Sequence, residues 1–355
     1  MADTMDVWAT VEYEKPLEKI RQPIPEPKGK EVLIKVTHCG VCHSDIHFWE
    51  GYFDLGGGKR LYAKDRGAKL PLAHGHEILG NIVKAGPDAG EQQVGARRIV
   101  YPWLGCSDCR QCAQEEDNMC AAQVSLGVVQ NGGFAEYVLV RDPKYLVDPG
   151  DLDPAVACTF GCSGITTLNA VSKVMPMDPE EPVVLVGAGG LGLASISVLK
   201  AYGHKNIISV DIGDDKLEAA KKAGATAVVN STVAEPAKEI LAAAGGPLLA
   251  VIDFVNVSAT ASMVQAILGK GAKWVQVGIL GGAVELSLAI TVMKSISILG
   301  NLTGNIANLR EITRLAKEGK LPPLPVTTMP WDKVQEAMDS LRAGKVIGRL
   351  VLVKE

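Results

Sequence analysis

A glycine-rich turn limits most strongly what this 355-residue chain can fold into. Residues 187–192 have the spacing G-x-G-x-x-G; they follow the apolar run Val183–Val186 and open the helix predicted over Gly190–Tyr202. Among 38 glycines the spacing alone is a weak signal, but a strand before it and a helix after it are the context of a dinucleotide site. The motif's glycines allow a tight turn, close approach of a pyrophosphate and close helix packing. The predicted phosphate-binding residues are Gly187, Gly189, Gly190, Leu191 and Gly192.

The rest of the second half repeats this alternation of strand and helix. Strands are predicted at Ile207–Asp211, Ala227–Val229, Ala250–Phe254 and Trp274–Val277, and helices at Asp214–Ala223, Ala234–Ala244 and Ala259–Leu268. This order predicts a doubly wound parallel sheet of the Rossmann type. The first half is instead predicted to be β-rich, with short runs between Gly- and Pro-containing turns at Glu31–Val36, Ile78–Ala85, Arg97–Tyr101 and Ala135–Val140. The expected fold class is α/β.

Asp211 stands at the end of the next predicted strand, about 20 residues beyond the glycine motif. A carboxylate there accepts hydrogen bonds from the adenosine ribose hydroxyls and repels a 2′-phosphate. No arginine follows nearby. Aspartates commonly end strands without such a role, but this placement favours NAD over NADP.

The composition argues against several other classes of protein. A net charge of −4 offers no basic surface for nucleic acid or anionic lipid. The longest apolar runs, such as Val275–Leu280, are far shorter than a membrane span. Met1–Thr10 lacks a cationic region followed by an apolar one, so we expect no signal peptide and a cytoplasmic protein. Eight cysteines in a reducing compartment indicate metal binding rather than disulfides.

Four of these cysteines, Cys106, Cys109, Cys112 and Cys120, form the pattern C-x2-C-x2-C-x7-C. Such thiolate clusters suit a tetrahedral structural zinc. The residues between them are mostly polar and cannot build a core, so metal would organise this lobe. An iron–sulfur cluster and four free thiols are the alternatives. The spacing favours zinc but says nothing about catalysis.

Three further motifs are spread along the chain. They are Gly40-Val41-Cys42-His43-Ser44-Asp45-Ile46-His47, Gly75-His76-Glu77 and Cys162-Ser163-Gly164-Ile165-Thr166. With the four-cysteine lobe, and in this order, they make the chain similar to the zinc-containing medium-chain alcohol dehydrogenases over essentially its whole length. The combination is far more specific than any single motif.

The resemblance implies that Cys42, His76 and Cys162 bind a catalytic zinc, leaving a fourth position open for water or substrate. His74 competes with His76, but the Gly-His-Glu context favours His76. Cys158 competes with Cys162, and the family's C-x-G-[VI]-T pattern favours Cys162. The alternative role for Cys158, as for Cys39, is that of a small buried apolar residue.

The resemblance also implies roles for residues around the zinc and the cofactor. Asp45 and Glu77 would orient the ligands or tune the metal, although Glu77 could be a surface charge. Ser44 and His47 match the family's proton relay. The implied cofactor contacts are Lys216 at the adenosine ribose (or a solvated helix lysine), Arg349 at the pyrophosphate and Thr166 at the nicotinamide.

At the level of the whole protein, the resemblance implies a GroES-like catalytic domain of residues 1–163 and 298–355, and a Rossmann domain of residues 164–297. Each subunit would carry two zinc ions and use NAD. The reaction would be reversible hydride transfer between a zinc-bound alcohol and the nicotinamide, giving an aldehyde or ketone. Homo-oligomers, dimers or tetramers, are expected, with an edge strand near Ile296–Leu299 as one contact.

Three other classes of protein share part of this pattern. A zinc polyol dehydrogenase usually has glutamate as the third ligand, where Cys162 stands here. A reductase of the cinnamyl alcohol dehydrogenase type generally prefers NADP, which Asp211 disfavours. A non-catalytic scaffold with this fold would be expected to lose Cys42, His76 or Ser44, and all three are present.

The substrate is suggested only by aromatic residues. Trp49, Phe53 and Trp103 lie in stretches that resemble pocket-lining regions of the family, although they could simply pack the domain. The loop that follows Trp49 resembles that of dehydrogenases acting on cyclohexanol or omega-hydroxy acids. Lys59 and Arg60 in this loop could contact a substrate carboxylate or be solvated.

Overall fold

Two sheets of different construction organise the chain in the computed structural model, which describes residues 3–354. Up to residue 174 the elements are β1 (Thr4–Ala9), β2 (Glu18–Pro23), β3 (Val32–Val41), α1 (His43–Glu50), β4 (Tyr52–Asp54), β5 (Arg60–Tyr62), β6 (Glu77–Ala85), β7 (Arg97–Val100), β8 (Trp103–Leu104), α2 (Arg110–Ala113), β9 (Val124–Ser125), β10 (Tyr137–Val140), β11 (Leu146–Val147), α3 (Pro154–Cys158) and α4 (Ser163–Val174). They continue with β12 (Val183–Val186), α5 (Gly190–Ala201), β13 (Ile207–Asp211), α6 (Asp214–Ala223), β14 (Ala227–Asn230), α7 (Pro236–Ala244), β15 (Leu248–Asp253), α8 (Ser258–Ile267), β16 (Leu268–Gln276), α9 (Leu288–Lys294), β17 (Ser297–Gly300), α10 (Ile306–Lys317), β18 (Val326–Pro330), α11 (Val334–Arg342) and β19 (Arg349–Val353).

Both ends of the chain contribute to the seven-stranded, mostly antiparallel sheet. Its order is β11-β7-β6-β3-β19-β18, and β10 also pairs with β3. Leu350 of β19 pairs with Val41 of β3, and Gly40 of β3 pairs with Glu77 of β6. Because neighbouring strands lie about 4.8 Å apart, this register brings three distant parts of the chain to one place.

The six-stranded sheet is parallel, with the order β14-β13-β12-β15-β16-β17. The strand order reverses direction next to β12. In doubly wound sheets, a crevice forms where the strand order reverses, at the carboxyl ends of the strands. Ligands bind in this crevice. The expected α/β class with a Rossmann-type sheet is confirmed, and β12, β13 and α6 have the predicted bounds.

The parallel sheet extends beyond the boundary expected at residues 297 and 298. In β17, Ser297 pairs with Lys273 and Gly300 pairs with Gln276. The strand belongs to the nucleotide-type sheet as far as Gly300 and forms one of its edges.

Sequence periodicity did not identify α4. Most of its side chains are buried, and these include the four consecutive residues Ile165, Thr166, Thr167 and Leu168, which point to all sides of the helix. A helix surrounded by protein has no polar face, so it lacks the amphipathic pattern from which helices are recognised. This helix matters for the site because it begins directly after Cys162.

Within residues 3–354, no single helix is both long enough and apolar enough to span a membrane. Pro154–Gly161 and Ser163–Val174 have that length and apolarity only in combination, and the two segments are bent by 57° relative to each other.

Candidate metal and dinucleotide sites

Cys42, His76 and Cys162 come together from three separate segments. Cys42 lies between β3 and α1, His76 directly precedes β6, and Cys162 directly precedes α4. Their ligand atoms all lie within 4.8 Å of one another, and all three residues are buried. Two sulfurs and one imidazole nitrogen at this separation are a donor set suited to zinc with an open position.

Asp45 orients this cluster from the first turn of α1. Its Oδ2 accepts a hydrogen bond of 2.8 Å from the backbone N–H of Cys42, and its Oδ1 accepts one of 3.0 Å from that of Gly75. The same Oδ1 lies 2.9 Å from Nδ1 of His76. This carboxylate places the ring hydrogen on Nδ1, so Nε2 presents a lone pair.

The free atoms of the cluster fit a metal. Nε2 of His76 is buried and has no hydrogen-bond partner, which is costly unless something binds it. The neighbouring Cys162 thiol, with help from His76 and Arg349, holds the pKa of Cys42 well below its usual value although burial opposes this. The thiolate is the form of cysteine that binds metals.

The competing residues have other partners. His74 is fully buried, with Nε2 2.8 Å from Oγ1 of Thr10 and Nδ1 3.0 Å from the carbonyl oxygen of Gly127. Both of its ring nitrogens are therefore occupied. The Cys158 thiol donates to the carbonyl of Ala155 at 3.3 Å, outside the three-residue cluster.

Glu77 and Arg349 form a buried ion pair beside the cluster. Oε2 of Glu77 lies 2.5 Å from Nη2 of Arg349, and Oε1 accepts a hydrogen bond of 3.1 Å from the backbone N–H of Ser163. Glu77 is therefore not a surface charge; its carboxylate ties the segment after Cys162 to β6. This pairing joins β6 to β19, and the sequence carried no signal of it.

Arg349 also lies against the start of α5. A Cβ built on Gly190 would stand 2.7 Å from Cδ of Arg349 and 3.1 Å from its Nη1. The side chain therefore extends between Glu77 and the glycine-rich turn. The contact of Arg349 with the pyrophosphate remains a prediction. In the structure, the guanidinium of Arg349 already pairs with the carboxylate of Glu77.

The glycine-rich turn has the shape that the motif predicts. Gly187 has φ of +99°, a conformation that glycine adopts readily. A Cβ on Gly192 would collide with the carbonyl oxygen of Gly187, whereas one on Gly189 would meet nothing within 4 Å. The backbone at Gly189 is thus open to a ligand, at the N-terminus of α5.

The other expected cofactor residues lie on β13, α6 and α4. Asp211 ends β13, and its carboxylate accepts hydrogen bonds from the backbone N–H groups of Ala188, Ile212 and Gly213 at 2.7 to 3.0 Å. Lys216 is half-buried on α6. Thr166 is buried on α4, and its hydroxyl has no partner.

Ser44 and His47 occupy the first turns of α1. Ser44 lines the cleft between the two sheets, whereas His47 is almost buried, with its ring 5.2 Å from that of Phe53 and 5.4 Å from that of His43. Burial, followed by the charge of His43, lowers the pKa of His47 to about 4, and Cys42 partly opposes this. Nε2 of His47 is buried without a partner.

The cleft has a volume of about 850 Å³ and is lined by residues of the domain with the mostly antiparallel sheet and of the domain with the parallel sheet. Phe48, Phe53 and Trp103 line one part of it, and Ile279 comes from the nucleotide-type domain. Trp49 does not line it: the indole is buried and donates to the carbonyl of Lys15 at 2.6 Å. Core packing therefore describes Trp49, whereas Phe53 and Trp103 pack in a small apolar cluster with Phe48 and Val128 and also line the cleft.

The charged residues at the cleft were not those suggested by the sequence. Arg60 stacks on Tyr52, with its guanidinium carbon 3.9 Å from the ring centre. Asp65 and Arg66, in a short 3-10 helix after β5, line the cleft instead. The folding of this loop decides which charges face inward.

Cys106, Cys109, Cys112 and Cys120 also converge. Their sulfurs lie within 4.8 Å of one another, with the Cys109–Cys112 pair at 3.5 Å. Asp117 stiffens the lobe, since its Oδ1 accepts hydrogen bonds from the Tyr145 hydroxyl at 2.7 Å and from Nζ of Lys144 at 3.1 Å. Four convergent thiols with few apolar neighbours fit a closed zinc site.

Replacing Cys109 with alanine should remove one zinc ion per subunit and mainly reduce stability, because metal binding replaces a hydrophobic core in this lobe. We expect the midpoint of thermal unfolding to fall by about 10 °C, measured by calorimetry beside the metal content. Asp108→Ala, in the same lobe, should keep both ions. An unchanged zinc content in the Cys109 variant would contradict the assignment.

Comparison with known proteins agrees with this architecture. Residues 28–149 match the family model described as alcohol dehydrogenase GroES-like domain, and residues 190–318 match the model described as zinc-binding dehydrogenase. A NAD-dependent alcohol dehydrogenase of Sulfurisphaera tokodaii is 39% identical over 97% of this chain and 98% of its own length. One from Saccharolobus solfataricus is 38% identical over the same shares. The crystal structure of the alcohol dehydrogenase from Aeropyrum pernix superposes with a TM-score of 0.89 at 27% identity, covering 98% of this chain and 100% of that one.

Proposed function

Because the chain belongs to the zinc-containing medium-chain alcohol dehydrogenase family, we propose that it oxidises alcohols to aldehydes or ketones with NAD, and catalyses the reverse reaction. The observation that carries this proposal is the buried cluster of Cys42, His76 and Cys162, with Nε2 of His76 free. The cluster adjoins the cleft, since the His76 ring lies 5.5 Å from that of Trp103, which lines it.

The residues of the cluster would hold a zinc ion, which when bound supplies a Lewis acid that favours loss of the alcohol's hydroxyl proton. Asp45 keeps the lone pair of His76 directed at the metal position. Glu77 is a second carboxylate beside the cluster, and its ion pair with Arg349 neutralises its negative charge. The four-cysteine lobe would hold a second, structural zinc.

A bound nicotinamide supplies the hydride acceptor. The chain's part is to hold it: the open backbone at Gly189 and the N-terminus of α5 would bind the pyrophosphate, and Thr166 would contact the nicotinamide ring. Asp211 would accept hydrogen bonds from the adenosine ribose. Lys216 on the neighbouring helix would assist it, and Arg349 would reach the pyrophosphate from β19.

The proton of the alcohol would leave through residues of α1. Ser44 lines the cleft and would take part in the first transfer. His47 would receive the proton at Nε2, the atom that has no other partner. The substrates that the cleft suits best are apolar alcohols, because Phe48, Phe53 and Trp103 offer aromatic surface there.

The test is formation of NADH, followed at 340 nm, with a panel of primary, secondary and cyclic alcohols and the zinc-loaded protein. We expect turnover with NAD and the highest kcat/KM for apolar alcohols. Faster reduction of aldehydes with NADPH would favour the cinnamyl-type reductase. Absence of turnover with every alcohol and carbonyl compound, at full zinc content, would favour a non-catalytic scaffold.

We propose further that the chain forms homo-oligomers through α9 and β17. The side chains of Leu288, Val292 and Met293 on α9 are 81%, 79% and 69% exposed, an apolar surface that a second copy would cover. β17 forms a sheet edge beside it, and edges are places where strands of two subunits pair. We also place the protein in the cytoplasm, because thiolate zinc sites need reduced cysteines.

Replacing Val292 with aspartate should therefore convert the oligomer to smaller species, because a carboxylate would be buried without a partner. The measurement is subunit mass by light scattering after size exclusion. Val94→Asp, an equally polar change at a valine 66% exposed in the other domain, is the matched control. Equal masses for both variants would count against this surface as the contact.

A further inference from the structure

Glu50, the last residue of α1, lies beside the imidazole of His47. Its Oε2 is 3.7 Å from Nδ1 of His47, and its Oε1 is 3.6 Å from Nη2 of Arg342 at the end of α11. The Arg342 guanidinium carbon in turn lies 5.2 Å from the centre of the Trp49 ring. The carboxylate is therefore held between the imidazole and a cation.

The two ring nitrogens of His47 have different surroundings. Nε2 is buried and has no hydrogen-bond partner, whereas Nδ1 faces the carboxylate. A carboxylate beside Nδ1 stabilises the tautomer with hydrogen on Nδ1, which leaves a lone pair on Nε2. That lone pair is what a proton acceptor in the cleft needs.

A proton on His47 also needs somewhere to go. The imidazole is almost buried, and burial together with His43 disfavours its charged form. The Glu50 side chain is 18% exposed, so it connects the buried ring with solvent. The separation of 3.7 Å is longer than a hydrogen bond, but such contacts tighten when substrate and cofactor bind.

We propose that Glu50 is a positioning residue that sets the tautomer of His47 and passes its proton to solvent. The proposal rests on the role of His47 in the proposed function. The proton from the alcohol bonds to Nε2, the N–H bond at Nδ1 breaks, and that proton moves to the Glu50 carboxylate and then to water. Charge and protons balance, because the imidazole is neutral before and after the transfer.

The test uses Glu50→Gln in the zinc-loaded protein with NAD bound. Nitrogen-15 NMR of labelled histidine, with the His47→Gln spectrum for assignment, reports which ring nitrogen carries hydrogen at neutral pH. We expect wild-type His47 to carry hydrogen on Nδ1 and the Glu50 variant to shift toward Nε2. Stopped-flow measurement of NADH in the first turnover should show the variant slower by about tenfold. This is below the roughly 10²- to 10⁴-fold of a full general acid–base contribution, because His47 itself remains.

Two further variants separate this role from a structural one. Arg342→Gln breaks the same contact between α1 and α11 but keeps the carboxylate, so it should retain hydrogen on Nδ1. Glu336→Gln removes an exposed carboxylate elsewhere on α11 and should change neither the tautomer nor the first-turnover rate. An unchanged tautomer in the Glu50 variant would overturn the proposal, as would the same shift in the Arg342 variant.

The tautomer measurement needs no turnover, so it distinguishes failure of this proposal from failure of the proposed function. If no alcohol yields NADH but the Glu50 variant still changes the tautomer, the positioning role stands and the reaction is wrong. If wild type turns over and the Glu50 variant matches it in both measurements, the reaction stands and Glu50 has no part in it.

Discussion

Replacing Cys42 with alanine should remove one of two zinc ions per subunit and reduce turnover by on the order of 10³-fold or more. The remaining ligands, His76 and Cys162, come from segments joined only through the fold, and two protein ligands hold zinc poorly. The measurement is elemental analysis of zinc against protein concentration, beside kcat with the best alcohol of the panel.

Cys158→Ala is the matched control for this variant. Cys158 is as deeply buried as the ligands and lies in the same part of the chain as Cys162, but its sulfur belongs to neither cluster. It should keep both zinc ions and most of the activity. A Cys42 variant that retains two zinc ions, or a Cys158 variant that loses one, would show that the ligands are misassigned.

Replacing Asp211 with glycine and Ile212 with arginine should reverse the preference between NAD and NADP. The wild-type carboxylate repels a 2′-phosphate, and its removal leaves room for one. Ile212 is 70% exposed and directly follows β13, so an arginine there can reach the ribose without entering the core. We expect the ratio of kcat/KM for NAD to that for NADP to fall by on the order of 10²-fold, about 2.7 kcal/mol.

Asp214→Asn controls for the loss of negative charge near the ribose position. Asp214 begins α6 and accepts a hydrogen bond of 2.7 Å from Asn230, so it carries the same charge close to Asp211 without ending the strand. Its substitution should leave the preference for NAD almost unchanged. If the double variant also keeps that preference, Asp211 does not contact the ribose.

Several strands and helices of the nucleotide-type sheet were predictable because short-range spacing in the sequence determines them, although β16 begins at Leu268 and not at Trp274 as expected. An apolar run of four residues, a glycine-rich turn and a helix with a glycine stop follow one another directly, and β12 and α6 have the expected bounds. The buried helix α4 could not be found in this way. Other elements, such as α5 and α10, cover this helix. It therefore lacks the alternation of polar and apolar residues by which a surface helix is recognised in a sequence.

At the metal cluster, the sequence supplied the residue types through motif resemblance, and the fold supplied the distances. The pairing of β3 with β6 and β19 places Gly40 between Glu77 and Val351, and this register brings the segments that carry the ligands together. The same register creates the contact between Glu77 and Arg349, whose positions differ by most of the chain's length. The spacing of residues within a motif cannot predict a contact such as that between Glu77 and Arg349.

The sequence by itself determined the local units: the glycine-rich turn, the four-cysteine lobe and the alternation of strands and helices. Short-range spacing fixes these, because backbone geometry and ligand reach act over a few residues. Only the tertiary structure decided that His74 is occupied by Thr10 and Gly127, that Trp49 faces the core, and that Glu50 faces His47. Those outcomes depend on which side chains other elements bring near, and burial and charge act through space rather than along the chain.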